Sequence, residues 1–149
     1  MKLSTKARYG LRAMMCLALA ENGKVTMARV ISEKEGLPLS YLEQLFAMLK
    51  RGGLVRSLKG PSGGYALARP AKEISLAEVI TALEGRICIA SCEDVAICRP
   101  HPASCALKEI LDGANEALLA YFQEMTLADF AEIQLEKTAA TLRAAEVSH

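Results

Sequence analysis

The sequence predicts a mainly α fold with a small β wing and one long amphipathic helix. Three observations favour this class. Apolar residues recur at three- and four-residue steps in several segments, which is the spacing of helix faces. The segment "LVRSLKGPSGGYALARP" instead reads as a strand, a Gly/Pro-rich turn and a second strand. A chain of 149 residues, 52% apolar and 23% charged, suits one globular domain with an extension.

The amino-terminal third is predicted to hold three helices joined by short turns. The first covers residues 4–22 and ends before Gly23, a favourable residue just beyond a helix end. Thr26 can cap the second helix, "MARVISEKE", which ends at Gly36. Ser40 can cap the third helix. One face of that helix carries the spacing of a buried stripe, formed by Leu42, Leu45, Phe46 and Leu49.

A hairpin directly after this helix pair is the arrangement of a winged helix-turn-helix. In such a fold the third helix could enter the major groove of DNA, while the wing reaches phosphates or the minor groove. The predicted hairpin and its approach are basic, as a nucleic-acid surface requires. The basic residues are Lys50, Arg51, Arg56, Lys59 and Arg69.

The charges of the chain are strongly divided between its two halves. Residues 1–72 carry 13 Lys+Arg and 4 Asp+Glu, a net of +9, and residues 73–149 carry 5 and 13, a net of −8. The two values add to the overall +1. A basic amino-terminal half is the electrostatic pattern of a nucleic-acid binder.

The second half predicts further helices around an irregular loop. Ser75 and Glu78 fit a capping box that opens a short helix ending at Gly85. After the loop, a long apolar stripe at helical spacing extends over about residues 103–125. We interpret it as a dimerisation helix, because winged-helix proteins commonly read two half-sites as symmetric dimers. An ordinary core helix is the alternative.

A last helix is predicted to start at Thr126, and the chain end to be frayed. The predicted organisation is therefore a winged helix-turn-helix DNA-binding domain (1–84), a cysteine loop (85–106), dimerisation helices (107–135) and a frayed tail (136–149).

The opening segment "MKLSTKARYGLRAMMCLALAEN" has basic residues followed by an apolar stretch, as a secretory signal has. Arg12 interrupts that stretch, and Ala7, Leu11, Met14 and Ala18 recur at the spacing of a folded amphipathic helix. No segment reaches the length that spans a membrane. We therefore expect a cytoplasmic protein, in which cysteines are kept reduced.

Three of the five cysteines, Cys92, Cys98 and Cys105, lie in "SCEDVAICRPHPASCAL" with gaps of five and six residues. Thiolates are soft ligands for iron–sulfur clusters, zinc or copper(I). Structural zinc sites usually pair cysteines two to four residues apart, so these gaps favour an iron–sulfur cluster over a zinc or thiol-redox site. Cys16 fits the apolar face of the first helix. Because neither a Cys-x-x-Cys pair nor a catalytic constellation is visible, we expect no enzyme and assign no catalytic residue.

At "LSYLEQLFAMLKRGGLVRSLKGPSGGYAL", with the opening "MKLSTKARYGLRAM" and the three-cysteine loop, the chain resembles the IscR/NsrR/RirA superfamily of winged-helix transcription regulators. The resemblance covers roughly residues 1–135 and is closest to IscR in the DNA-binding region. It implies a homodimer on double-stranded operator DNA, controlled by a 2Fe–2S or 4Fe–4S cluster on Cys92, Cys98 and Cys105. The alternative is a cluster-free member regulated by a partner protein or by cysteine oxidation.

The resemblance also implies the DNA-contacting residues. Ser40, Tyr41, Glu43 and Gln44 match the family's recognition positions, and Lys59 matches a wing-tip residue that enters the minor groove. A carboxylate such as Glu43 can accept a hydrogen bond from cytosine N4, and Gln44 can bond adenine or a phosphate. Alternatively, Glu43 caps the third helix together with Ser40. Contacts to phosphates are assigned to Lys2, Lys6 and Arg8.

The chain departs from the family pattern at the fourth cluster ligand. IscR-like members have five residues in both gaps and a histidine three positions after the last cysteine, whereas here the second gap is six and Lys108 holds that position. Other members recruit a ligand near position 8 of the first helix, where this chain has Arg8 and Arg12. The fourth ligand and the cluster type therefore stay open. Besides an open coordination position, the candidates are Cys88, Asp94, His101 and Glu109.

Overall fold

A computed structural model describes residues 3–20, 23–89 and 105–148, and within these residues it shows six α-helices and one β-hairpin. The predicted fold class, mainly α with a small β wing, is confirmed. The elements are α1 (Thr5–Leu19), α2 (Ala28–Glu35), α3 (Leu39–Arg51), β1 (Val55–Leu58), β2 (Gly64–Leu67), a 3₁₀ turn (Ala71–Glu73), α4 (Leu76–Glu84), α5 (Ala106–Glu124) and α6 (Leu127–Val147). None of these described helices is both long enough and apolar enough to cross a membrane.

The first two helices begin and end for different local reasons. The Ser4 hydroxyl caps α1 by accepting a hydrogen bond from the Ala7 N–H at 3.1 Å. Gly36 ends α2 as predicted, in a left-handed conformation with φ of 65° that glycine adopts without strain. The prediction that Thr26 caps α2 is wrong. Met27 precedes the helix without a capping side chain, because the Thr26 backbone pairs with the wing.

The start of α3 also differs from the prediction. The carbonyl of Pro38 accepts the first helical hydrogen bond, from the Leu42 N–H at 3.0 Å. The helix therefore begins two residues earlier than a Ser40 cap would give, and Ser40 lies inside its first turn. The predicted apolar stripe is confirmed, since Leu42, Leu45, Phe46 and Leu49 are all buried.

The core of the amino-terminal half lies between α1, α3 and α4. Gly10 lets α1 approach α4 closely, because an added Cβ at this position would lie 2.1 Å from Cδ1 of Leu83. The largest fully buried side chains come mainly from these helices: Phe46, Met14, Leu17, Ile31, Leu42, Leu45, Leu49, Leu54, Ile74, Ile80, Leu83 and Leu127.

The wing is an antiparallel hairpin attached to the segment before α2. Strands β1 and β2 pair with Val55 opposite Leu67. Thr26 and Tyr65 exchange two backbone hydrogen bonds, of 2.8 Å and 2.9 Å. Gly64 permits this approach, because a Cβ there would lie 2.2 Å from the Thr26 carbonyl oxygen. Strand β2 is therefore hydrogen-bonded along both edges, to β1 on one side and to Thr26 on the other.

Two capping boxes join the start of α4 to the start of α6. The predicted box of Ser75 with Glu78 is present, and a second box joins Thr126 with Asp129 at the predicted start of the last helix. Backbone pairing between Ser75 and Thr126 places the two helix starts side by side, and the Leu76 N–H donates to the carbonyl preceding Thr126 at 2.8 Å.

The last two helices are largely exposed. No described residue of α5 is buried, and only Leu127 and Ala131 are buried in α6. The prediction of a frayed tail over residues 136–149 is wrong for most of that range, because α6 continues to Val147. Its residues "EKTAATLRAAEV" are mostly good helix formers without glycine or proline.

Candidate nucleic-acid interface and cysteine segment

The recognition residues predicted from the sequence lie together on the first turns of α3. Burial of the apolar stripe turns the opposite face of the helix to solvent, where Ser40, Glu43 and Gln44 are exposed and Tyr41 is half-buried. A row of exposed polar side chains at the start of a helix can form hydrogen bonds with base edges in the major groove.

The capping alternative for Glu43 is wrong. Because Pro38 rather than Ser40 precedes α3, and no side chain caps this helix, the carboxylate of Glu43 does not belong to a capping box. Glu43 is exposed on the helix surface. Its carboxylate is therefore accessible to a hydrogen-bond donor outside α3.

Tyr41 packs on an aromatic residue of α1. Its ring meets the Tyr9 ring edge-on, with 6.2 Å between the centroids. The Arg12 guanidinium lies 5.8 Å from the Tyr9 centroid and forms a 2.6 Å ion pair with Glu35 at the end of α2. This series of contacts connects α1, α2 and α3, which together with the wing we call the reading head. No sequence spacing indicates these contacts.

The wing is fixed against α3 by two further contacts. Phe46 and Tyr65 stack with 4.2 Å between their centroids and 18° between their planes. The Lys50 ammonium donates to the Ser57 hydroxyl at 2.7 Å. Lys59 is exposed in the turn between β1 and β2. Helix α3 and the wing are therefore packed together, with the exposed Lys59 at the tip of the hairpin.

Two of the three residues predicted to contact phosphates lie within the described part of the chain. Arg8 is exposed and Lys6 is half-buried on α1, whereas Lys2 lies outside the described residues. The Ser4 N–H donates to the Glu84 carboxylate at 2.8 Å, which ties the start of α1 to the end of α4. Arg29, which no sequence motif singles out, is an additional exposed basic residue on α2.

Cys16 is a core cysteine, as predicted. It is 7% exposed, and its thiol donates a hydrogen bond to the Glu35 carboxylate at 3.2 Å. Burial, followed by the contact with Glu35, raises the pKa of Cys16 to about 12. The thiol therefore stays protonated at neutral pH and is a poor metal ligand.

One of the three predicted cluster cysteines lies within the described residues. Cys105 is half-buried and immediately precedes α5 as its N-cap residue. Cys92, Cys98 and the alternative ligands Asp94 and His101 lie outside the described residues. Within the ranges that the structure covers, no three His, Cys, Asp or Glu side chains come together as a metal site.

Cys88 is half-buried, and the residue after it is hydrogen-bonded to α5. Ile89, the neighbour of Cys88, donates its N–H to the Asn115 side-chain oxygen at 2.6 Å. Asn115 lies ten residues beyond Cys105, about 15 Å along a helix that rises 1.5 Å per residue. Arg86 and Ile87 line the same cavity as Lys108, so the segment that carries Cys88 also reaches the first turn of α5, and Cys88 stays a candidate ligand.

The first turn of α5 carries two further residues of interest. Lys108, which occupies the position of the family's histidine, pairs with Asp112 one turn later. Glu109 is exposed and lies one turn after Cys105, because its N–H bonds to the Cys105 carbonyl at 3.4 Å. Of the candidate fourth ligands within the described residues, Glu109 is thus nearer to Cys105 along the chain than Cys88.

Comparison with known proteins agrees with this geometry. A family model described as Rrf2, iron-dependent transcriptional regulator, matches residues 3–133. The transcriptional regulator IscR of Klebsiella pneumoniae is 37% identical over 135 residues, covering 90% of this chain and 82% of that protein. The solved structure of CymR, the global cysteine regulator of B. subtilis, matches with a TM-score of 0.76 at 34% identity over 89% of this chain and 98% of that one.

The structure of IscR from T. potens matches with a TM-score of 0.73 at 31% identity, covering 90% of this chain and 88% of that chain. The family model spans nearly the whole described chain, and both sequence and fold agree with it. This chain therefore belongs to the Rrf2 family, whose members are winged-helix, DNA-binding transcriptional regulators.

Proposed function

We propose that this regulator binds its operators as a homodimer in the cytoplasm, and that an iron–sulfur cluster on Cys92, Cys98 and Cys105 controls its affinity for DNA. The observation that carries the proposal is the position of the three cysteines. They occupy the segment between α4 and α5, and the last of them, Cys105, is the residue from which α5 begins. A group bound by this segment would therefore constrain the part of the chain that joins α4 to α5.

The donor set suits an iron–sulfur cluster. Three thiols with gaps of five and six residues can ligate a cluster spread along a loop, and Cys105 lies at the amino-terminal end of a helix, which favours negative charge. When bound, a cluster would supply sensitivity to iron supply, oxidants or nitric oxide. The fourth ligand stays open between Glu109, His101, Asp94, Cys88 and an open position.

The exposed stripe of α5 supports a dimer. Leu107, Ile110 and Tyr121 are 61%, 68% and 60% exposed. Burying each such side chain against a second copy contributes about 1.5–3 kcal/mol. A dimer built on α5 would place two reading heads on one operator, as two half-sites require.

A continuous set of contacts could carry a change at the cysteine segment to the recognition helix. α4 leads into the segment, and its last residue, Glu84, accepts a hydrogen bond from Ser4 at the start of α1. α1 in turn carries Tyr9, which packs on Tyr41 of α3. A coupling of about 1.4 kcal/mol along this path changes operator affinity tenfold and lies within the usual range for allosteric proteins.

The DNA contacts are proposed on the same exposed surface of α3, the wing and α1. The surface of α3 is proposed to read bases, with the Glu43 carboxylate accepting from cytosine N4. Lys59 at the wing tip is proposed to enter the minor groove. The remaining assigned contacts are Ser40, Tyr41 and Gln44 with the major groove, and Lys2, Lys6 and Arg8 with phosphates.

A cluster-free regulator is the second candidate, and the likeness to CymR favours it. CymR is described as a global cysteine regulator, and it matches this fold with the higher TM-score of the two structures compared here. In a cluster-free regulator, a partner protein or oxidation of the cysteines would change operator affinity. The path of contacts from the cysteine segment to α3 would be the same.

Anaerobic purification separates the two candidates. The proposal predicts a brown protein with iron and acid-labile sulfide, and loss of both in Cys92→Ala. The matched control is Cys16→Ala, which removes a buried thiol far from the segment in sequence and should keep the cluster. A colourless wild-type protein that still binds operator DNA would support the cluster-free regulator instead.

A further inference from the structure

We propose that Arg69 is a positioning residue for the wing. Its guanidinium joins the end of the hairpin to the start of α4, and it thereby holds Lys59 where the wing meets DNA. The inference rests on the proposed contact of Lys59 with the minor groove. It gives a basic residue of the hairpin a role other than binding a phosphate.

The guanidinium of Arg69 has two partners beyond the hairpin. Its Nη1 donates to the Glu73 carbonyl oxygen at 3.0 Å, and its Nη2 donates to Oε1 of Glu78 at 2.6 Å. The other carboxylate oxygen of Glu78, Oε2, accepts a hydrogen bond from the Ser75 N–H at 2.9 Å. The capping box of α4 therefore fixes the carboxylate that Arg69 binds.

The backbone that leaves the wing is short and stiff. Arg69 lies two residues after β2 and directly before Pro70, whose ring restricts the preceding residue to extended conformations. The 3₁₀ turn Ala71–Glu73 then leads to Ser75, which pairs with Thr126 at the start of α6. Arg69 therefore links the end of the wing to the place where α4 and α6 both begin.

Two other basic residues of this region also bond to the protein itself. Lys50 of α3 donates to the Ser57 hydroxyl of β1 at 2.7 Å. Arg56 of β1 donates to the Gly23 carbonyl oxygen at 3.2 Å. These two contacts hold β1 against α3 and against the segment after α1, and Arg69 adds a contact from the end of β2 to α4. Part of the basic character of the hairpin thus serves to hold the wing in place.

The contact acts on the orientation of the wing more than on the stability of the fold. The side chains of Arg69 and Glu78 are 40% and 41% exposed, and exposed ion pairs contribute little to folding stability. Lys59 lies in the turn of the hairpin, so a rotation at the base of the wing would displace it. A wing held in place before it meets DNA loses less conformational freedom on binding, and this strengthens the complex.

The test measures the affinity of the full-length protein for an operator duplex that the wild type selects from a randomised DNA library. Fluorescence anisotropy gives Kd over a range of salt concentrations, and thermal unfolding checks that each variant is folded. All proteins are prepared and measured side by side under the same anaerobic conditions.

Glu78→Gln is the central variant. Glutamine also completes a capping box, but the box uses its one side-chain oxygen, and its NH₂ group cannot accept a hydrogen bond from Arg69. Arg69→Gln removes the guanidinium itself. The matched control is Lys72→Gln, which removes an exposed positive charge three residues after Arg69 and leaves the contact with Glu78 intact.

We expect Glu78→Gln and Arg69→Gln each to weaken operator binding about three- to tenfold, as loss of a preorganising contact does. The double variant should be no weaker than either single variant, because both changes break the same contact. Glu78→Gln should weaken binding although it removes a negative charge, and Lys72→Gln should leave affinity nearly unchanged. In the Lys59→Ala background, Arg69→Gln should weaken binding by less than about twofold.

Three results would overturn the inference. If Glu78→Gln tightens binding while Arg69→Gln makes the slope of log affinity against log salt shallower by about 0.9, Arg69 is a phosphate contact. If Lys59→Ala leaves operator affinity unchanged, the contact of the wing with DNA fails and the role of Arg69 fails with it. If Lys59→Ala weakens binding and Arg69→Gln keeps its full effect in that background, only the positioning of Lys59 by Arg69 is wrong.

Discussion

Replacing Gly10 by alanine tests the packing of α1 on α4, through which the proposed coupling passes. The added methyl would lie 2.1 Å from Cδ1 of Leu83, a side chain that is 2% exposed and so has little room to move. Overpacking of this kind costs about 1–3 kcal/mol. Alanine also gains about 1 kcal/mol over glycine within a helix, which offsets part of that loss.

Gly113→Ala is the matched control, because Gly113 also lies within a helix and has no atom within 4 Å of an added Cβ. The helix-propensity gain is common to both variants, so the difference between them isolates the overpacking at Gly10. We expect Gly10→Ala to be less stable than Gly113→Ala by about 1–3 kcal/mol.

Thermal unfolding at one protein concentration measures this difference, since about 1 kcal/mol moves Tm by about 2–4 °C in a chain of this size. Equal stabilisation by both alanines would refute the close contact of α1 with α4. Partial recovery of Tm when Leu83→Val is added to Gly10→Ala would assign the loss to this pair.

Three further predictions concern association, DNA contact and acid stability. Ile110→Glu puts a charge in the exposed stripe of α5 and should shift sedimentation equilibrium towards monomer while weakening operator binding; an unchanged dimer would exclude this surface. Arg8→Ala removes a proposed phosphate contact and should make the slope of log affinity against log salt shallower by about 0.9; an unchanged slope would remove Arg8 from the phosphate contacts. Hydrogen bonds from the Thr126 backbone and hydroxyl lower the pKa of Asp129. Stability from this cap is therefore complete above the carboxyl's unfolded pKa of about 3.9 and lost as pH falls through the lower folded value, so Asp129→Asn should flatten the acid side of the stability profile; an unchanged profile would contradict the cap.

The elements that the sequence predicted well are those with a local cause. The capping box at Ser75 and the helix start at Thr126 need only residues within one turn, and Gly36 ends α2 through its own backbone freedom. The buried stripe of α3 follows from helical periodicity alone. These local preferences are present in the folded structure because tertiary contacts favour the same conformations.

The predictions that failed depend on competition between neighbours. Thr26 has a capping side chain, but pairing of its backbone with Tyr65 takes the residue into the wing. Ser40 also has a capping side chain, but the carbonyl of Pro38 accepts the first helical hydrogen bond, so the helix begins before Ser40. The contact of Tyr65 with Phe46 joins residues far apart in sequence, so no local pattern could indicate it.

The cysteine segment also shows that local sequence patterns do not determine which residues come together. Sequence spacing proposes its ligands, but the choice of the fourth ligand depends on tertiary placement. Glu109 lies one turn after Cys105 in α5, whereas Cys88 lies before the loop and its neighbour Ile89 bonds to Asn115. Cys92 and Cys98 lie outside the described residues, and their role stays a prediction.

The most direct test of the proposed function compares operator affinity with and without the cluster in one anaerobic preparation. The protein is measured as purified, after removal of iron and sulfide by chelation, and after reconstitution. The account predicts a change in Kd of at least about tenfold that reconstitution reverses. It also predicts that Cys92→Ala behaves like the stripped protein under both conditions. Equal affinity of the loaded and stripped proteins for the same operator would contradict control of DNA binding by an iron–sulfur cluster.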